Sequence, residues 1–301
     1  MKTLLYKKLD AFTDGISPGN PAGVIYLPQS ETLSAAQMQS IARRFTAQGL
    51  DNRVNEVAFC TPEGPGIYSL RFYSFNCEVE FCGHATIALA YDIMNKGAGS
   101  EKADKLTIRT VSSELQVIND ISASGAVFVN APEPRSIQPA FGWGDISEKL
   151  GALTEEIDTQ GELSIVNGGL NTAIIPMTSV AAVVRLTPDE TALKGFSLNK
   201  GFDVTVVFCR DIPKGRNVYR SRVFCPKYGY LEDPATGSGN AALGYHLLFT
   251  GIWDGGLLLI EQGQSLDHPN IVKLRASEIE GARRVQMGGN AVVRFEQNVL
   301  L

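Results

Sequence analysis

The sequence predicts an α+β protein in which two strand-rich halves each wrap one buried helix. Three observations carry that expectation. The stretch Cys82-Gly-His-Ala-Thr-Ile-Ala-Leu-Ala-Tyr-Asp-Ile-Met-Asn-Lys-Gly97 returns without a gap as Thr236-Gly-Ser-Gly-Asn-Ala-Ala-Leu-Gly-Tyr-His-Leu-Leu-Phe-Thr-Gly251, at an offset of 154 residues. Gly83 then falls on Gly237, Ala88 on Ala242, Leu89 on Leu243, Tyr91 on Tyr245 and Gly97 on Gly251. Apolar residues recur at helical spacing in both copies (Ile87, Ile93 and Met94; Ala241, Leu247 and Leu248), and each copy closes on a glycine suited to the left-handed turn that ends a helix. Both copies carry so little charge that each helix belongs inside its own half.

Residues 3–12 and 22–27 read as strands joined by the polar turn Thr13–Asn20. Met38, Ile41, Ala42 and Phe45 lie at helical spacing with Arg43 and Arg44 on the other face, which predicts an amphipathic helix over 34–46. A strand at 54–60 places Glu56 among apolar neighbours. A strand at 67–75 and a loop at 76–82 lead into the first central helix, and strands follow from 105 to 131. A connection through Pro132, Pro134 and Pro139 reaches a short helix near 146–153. The second half replays the first: a strand at 171–175, a mixed segment at 178–195, strands at 203–209 and 217–225, a loop at 226–236 and the second central helix. Strands at 256–261, 271–276 and 284–296 finish the chain. The expected partition is residues 1–125, joined by a strand at about 286–301, and residues 126–285.

A chain of 301 residues with 44% hydrophobic content has material for two cores. A net charge of −5, without a Lys/Arg stripe, argues against a nucleic-acid partner. No apolar run is long enough for a signal peptide or a membrane span, so a cytoplasmic protein without a membrane partner is expected. Five cysteines at 60, 77, 82, 209 and 225 form no CxxC pair and have no histidine at ligand spacing, so neither a disulfide framework nor a metal site is expected. Cys60 and Cys209 end apolar runs and read as small buried hydrophobes.

The chemistry concentrates in a few positions. Burying a charged carboxylate is costly, so Glu56 is expected to hold a raised pKa and to take and return a proton near neutral pH; an edge-strand carboxylate facing water is the plainer reading. His84 opens the first central helix, either fixing a carboxylate or bonding to backbone. Asp233, just before Pro234, either caps the second central helix or reaches a substrate. Ser238 is either a helix-start hydroxyl or a donor to a substrate oxygen. His246 and His268 read as packing or surface residues. Both helix starts, at Gly83 and Gly237, expose unpaired N–H groups suited to an anion and are expected to face one cleft. Gly237-Ser-Gly-Asn-Ala-Ala242 matches GxGxxA, but Asp-Pro-Ala-Thr stands where the fingerprint needs a strand, so no dinucleotide is expected.

Asn20-Pro-Ala-Gly-Val24, Cys82-Gly-His-Ala-Thr86 and Asp233-Pro-Ala-Thr-Gly-Ser238, in this order and with Glu56 between the first two, resemble the phenazine biosynthesis PhzF-like proteins of the diaminopimelate epimerase fold. The resemblance covers essentially the whole chain. It implies two pseudo-symmetric domains, each a β-barrel-like sheet around a central helix, with the active site between them. It also implies a homodimer, no cofactor, and isomerisation of a small carboxylate-bearing substrate by moving hydrogen along a conjugated system. In that family a glutamate transfers the proton and matches Glu56. The family's His, Asp and Ser match His84, Asp233 and Ser238, and its backbone donor matches Gly83; with the helix start at Gly237, Gly83 and Ser238 are the expected substrate-binding positions. Asn55 departs from the serine that commonly precedes the acid, and the segment from Thr46 to Val54 is longer than usual; both bear on substrate more than fold. Cys82 occupies the first thiol position of diaminopimelate epimerases and proline racemases, but Thr236 stands at the second. A one-thiol epimerase or dehydratase using Cys82, and an inactive ligand-binding protein, remain as alternatives.

Overall fold

The computed structural model describes residues 3–300 apart from 14, 47–53, 97–102, 212, 214, 216 and 217. The chain forms two compact units, Met1–Val129 with Gly288–Leu301, and Asn130–Met287. The first run holds strands β1 (Thr3–Ala11), β2 (Asn20–Tyr26), β3 (Glu56–Gly64), β4 (Ile67–Ser74), β5 (Glu78–Val79), β6 (Lys105–Arg109), β7 (Glu114–Asp120) and β8 (Ala126–Asn130), with helices α1 (Ala35–Thr46), α2 (Gly83–Lys96) and α3 (Ile121–Ser124). The second run holds β9 (Arg135–Ile137), β10 (Ser164–Asn167), β11 (Asn171–Pro176), β12 (Val204–Arg210), β13 (Val218–Phe224), β14 (Glu232–Asp233), β15 (Leu258–Gln262), β16 (Asn270–Ile279) and β17 (Ala282–Gly289). Its helices are α4 (Trp143–Leu150), α5 (Val180–Arg185), α6 (Glu190–Lys200) and α7 (Gly237–Phe249), and β18 (Ala291–Leu300) ends the chain.

One pairing scheme occurs twice. In the first unit β1 is antiparallel to β18 and β2, β2 is parallel to β3, and β3 is antiparallel to β4. Strand β4 then pairs antiparallel with β5 and parallel with β6, and β6, β7 and β8 continue antiparallel. In the second unit β10 takes the place of β1, antiparallel to β9 and β11, and β11 runs parallel to β12. Strand β12 is antiparallel to β13, which pairs antiparallel with β14 and parallel with β15, and β15 is antiparallel to β16. Each parallel step needs a crossover, and a helix fills each one: α1 and α2 in the first unit, the α5–α6 pair and α7 in the second.

The crossovers fix where the cores sit. Helix α2 is buried from Ala85 to Ala90 and packs on β1, β2, β3 and β18. Helix α7 is buried from Gly239 to Leu247 and packs on β10, β11, β12 and β16. Helix α1 lays Met38, Ile41 and Ala42 onto Tyr6, Phe59 and Tyr73 and leaves Arg43 and Arg44 exposed, as its periodicity predicts. Helices α5 and α6 bring Ala182, Val183 and Leu193 against Val207 and Phe224. Gly251, at φ 71°, supplies the left-handed residue after α7; Gly97, its expected counterpart, lies outside the described residues.

Several local readings need correction. The segment 178–195 is not mixed but two helices, the second running on to Lys200. The single strand expected over 284–296 is two, separated at Asn290. A Cβ at Gly289 would lie 2.5 Å from the Phe12 ring, so a glycine is needed at that corner. Strands β9 and β10, of three and four residues, are too short to show alternation. Among the described residues no two cysteines are joined, Cys60 and Cys209 are buried with thiols pushed up to about 12 by burial, and no helix is long and apolar enough to cross a membrane.

Candidate active site

In the first unit the Asn20–Val24 motif lies on β2, and the parallel register sets Gly23 opposite Val57. Glu56 heads β3 one residue earlier. Gly23 keeps that approach unstrained, because a Cβ would lie 3.0 Å from the Tyr6 ring and 3.1 Å from Val57 and one of them would have to give way. His84 is the second residue of α2, and the Pro21 backbone acts on its ring. Its Nε2 lies 3.5 Å from Glu56 Oε2, and the two side chains are 13% and 19% exposed. Burial pushes the His84 pKa down to about 4, outweighing the upward pull of the Pro21 backbone. At neutral pH the ring is therefore uncharged, and its contact with Glu56 is not an ion pair.

Cys82 joins this cluster from the residue before the helix. Its Sγ stands 3.5 Å from His84 Nδ1 and 3.7 Å from Nε2. Nearly equal distances put the sulfur beside the ring rather than at the end of either nitrogen lone pair. The ligand atoms of Glu56, Cys82 and His84 lie within 4.8 Å of one another, a grouping that spacing along the chain does not reveal because Glu56 comes from another strand. A metal held by all three needs the imidazole to turn first, so the donor set as it stands does not fit one. The N–H and hydroxyl of Thr86 both bond the Cys82 carbonyl, at 3.0 and 2.8 Å, and lock the entry to α2. Gly83, partly exposed, begins the helix, where first-turn N–H groups have no partner within it.

In the second unit Asp233 sits on β14, 7% exposed. It does not cap α7. Thr236 holds that position without a side-chain capping bond, its hydroxyl donating instead to Asp233 Oδ2. Gly237 is buried at the first position of the helix and Ser238, partly buried, follows it. Gly169, at φ 123°, brings the β10–β11 turn to where its Cβ would be 3.4 Å from that of Ser238.

Behind this loop lie three buried amides that the sequence reading missed: Asn240, Gln262 and Asn270. Asn240 bonds the Thr236 carbonyl at 2.9 Å, Gln262 the Asp233 carbonyl at 2.7 Å and Asn270 the Pro234 carbonyl at 2.7 Å. A polar Asn240 on a mostly apolar helix was the available signal, since a buried amide must find partners. His246 packs inside α7 with Nδ1 2.8 Å from Ser164 Oγ, its pKa pushed down to about 4 by burial, and His268 is exposed.

Two units that repeat one strand order around a buried helix define a protein of the diaminopimelate epimerase-like fold. The chain belongs to the PhzC-PhzF family of phenazine biosynthesis-like proteins, whose family model matches residues 9–297. It is 29% identical over 310 residues to the uncharacterised isomerase YfhB of Bacillus subtilis, with 97% of each chain covered. It is 29% identical over 299 residues to the trans-2,3-dihydro-3-hydroxyanthranilate isomerase of Pseudomonas chlororaphis, covering 98% of this chain and 99% of that one. The crystal structure of a PhzF family phenazine biosynthesis protein from Bacillus anthracis matches it with a TM-score of 0.84 at 22% identity, over 100% of both chains. The resemblance seen in the three motifs thus extends to the whole chain, and the protein is an isomerase of this family.

Proposed function

We propose that this isomerase works without a cofactor and moves a hydrogen within a small, carboxylate-bearing cyclic or conjugated molecule, with Glu56 as the general acid and base. One observation carries the reading: a partly buried Glu56 lies 3.5 Å from an imidazole that burial keeps uncharged, so the acid faces a neutral polar group there and not a fixed cation. Glu56 takes the proton from a carbon conjugated to the substrate carboxylate. The electron pair left behind spreads into the conjugated system, and protonated Glu56, whose carboxyl proton exchanges with solvent, returns a proton to another carbon on the same face. Nothing is oxidised or reduced, and no proton is gained or lost. His84 orients Glu56 and the substrate, Asp233 is the second acid of the site, and Gly83, Gly237 and Ser238 donate to the substrate carboxylate as negative charge develops. A homodimeric, cytoplasmic enzyme completes the proposal.

The Pseudomonas relative's named substrate, trans-2,3-dihydro-3-hydroxyanthranilate, belongs to the proposed class and is the first probe. Asn55, beside the acid, makes a different ring substituent the place to look if that probe fails. In deuterated water the wild type is expected to wash label into a ring carbon and Glu56→Gln to lose at least about a hundredfold in rate, the low end of what a positioned acid–base group contributes. Equal incorporation by both proteins removes Glu56 from the mechanism.

A further inference from the structure

We infer that Gln262 is a positioning residue for the segment Asp233–Ser238, acting through the peptide groups of that loop. The inference rests on the reading of Asp233, Gly237 and Ser238 as working residues, and it adds what holds them. Gln262 ends β15 and is fully buried. Its Oε1 accepts from the Thr236 N–H at 2.9 Å and from Asn240 Nδ2 at 2.6 Å. Its Nε2 donates to the Asp233 carbonyl at 2.7 Å and to Thr236 Oγ1 at 3.2 Å. Both lone pairs and both N–H groups of the amide are used, and turning it over would set donor against donor.

A direction follows for the next bond. With the Thr236 hydroxyl oxygen accepting from Gln262, its own proton is sent to Asp233 Oδ2, so the amide orients the carboxylate through the threonine. Asn240 and Asn270 hold the Thr236 and Pro234 carbonyls, and Ser221 Oγ donates to Asn240 Oδ1 at 3.2 Å to fix that amide in turn. The loop runs from a two-residue strand into a helix start and has little ladder of its own, so buried side chains supply the partners its backbone requires.

The test is amide hydrogen exchange at Thr236, measured alongside urea unfolding, in Gln262→Met and Gln262→Glu. Methionine fills the space and offers no comparable acceptor, whereas glutamate keeps the oxygen that accepts from Thr236. The Met variant is expected to exchange Thr236 faster by roughly ten- to hundredfold relative to the amides of β15 and β16, the equivalent of one buried hydrogen bond. The Glu variant is expected to keep Thr236 protected. A general packing role would instead speed all second-unit amides together, in step with global stability. Unchanged protection of Thr236 in the Met variant, or equal loss in both, overturns the inference. Should Gln262→Met not fold, Gln262→Asn, which keeps the amide but falls short of the loop, is expected to deprotect Thr236 in the same way, and protection there is equally fatal. Deuterium wash-in by the same variants then reads the consequence for turnover. A wild type that washes no label into any probe counts against the proposed function alone, because the exchange at Thr236 is measured without substrate.

Discussion

A single side chain, His84, sets the electrical character of the first unit's cluster. Its ring has lost its charge to burial while standing 3.5 Å from Glu56, so it does not hold the acid as a permanent cation would. Cys82 touches the same ring without a lone pair aimed at it, and a thiol so placed has no imidazole base in line to activate it. Cys82→Ala is therefore expected to keep more than about a tenth of the wild-type rate of deuterium wash-in, a loss worth less than about 1.4 kcal/mol in transition-state terms. Loss of exchange in Cys82→Ala together with survival in Glu56→Gln would invert the assignment and favour the one-thiol route.

At the scale of elements, the approach of a turn to a helix decides how much freedom the second motif has. A Cβ at Gly168 would lie 2.9 Å from the backbone nitrogen of Ala242 and 3.2 Å from its Cα, so the β10–β11 turn is seated on the first turns of α7. Gly168→Ala must push the helix away and is expected to cost about 1–3 kcal/mol in urea unfolding, the usual penalty of overpacking. Gly195, exposed within α6 and with nothing within 4 Å of where a methyl group would stand, is its contrast: Gly195→Ala is expected to gain up to about 1 kcal/mol from helix propensity alone. The sequence made the two central helices legible because their glycines, small residues and lack of charge are all consequences of burial. It left the shared strand order unread, since strands need only alternate and can lose every identity while keeping their register. Glu56 and His84 were visible as residues, but their meeting depends on the parallel step between β2 and β3 and on the packing of α2 against both strands, which no local pattern encodes. Asn240, Gln262 and Asn270 were hidden for a similar reason: an amide that braces a loop looks in sequence like an amide that faces water.

For the molecule as a whole, the same burial that keeps two histidines uncharged makes stability depend on pH. His84 lies in the first unit and His246 in the second, each with a pKa near 4 in the folded chain, against about 6.5 for an unfolded histidine. Between those values the unfolded state binds a proton at each ring and the folded state does not. Stability therefore rises with pH across that window, and the contribution, fully present above about 6.5, is lost as the pH falls toward 4. With both rings titrating, the slope near pH 5 is expected to be on the order of 2 kcal/mol per pH unit, a little over 1 for each ring. The depressed carboxyl of Glu78, held down by the Arg71 guanidinium, acts in the same sense but lower, at and below the ordinary carboxylate range, so the upper part of the window belongs to the histidines. Urea titrations from pH 7 to 5 measure the slope, and His246→Gln, which keeps a partner for Ser164 without a titrating ring, is expected to halve it. A flat stability between pH 6.5 and 5 in the wild type would mean that both rings accept protons in the folded chain, and with that the uncharged imidazole beside Glu56 would be lost as well.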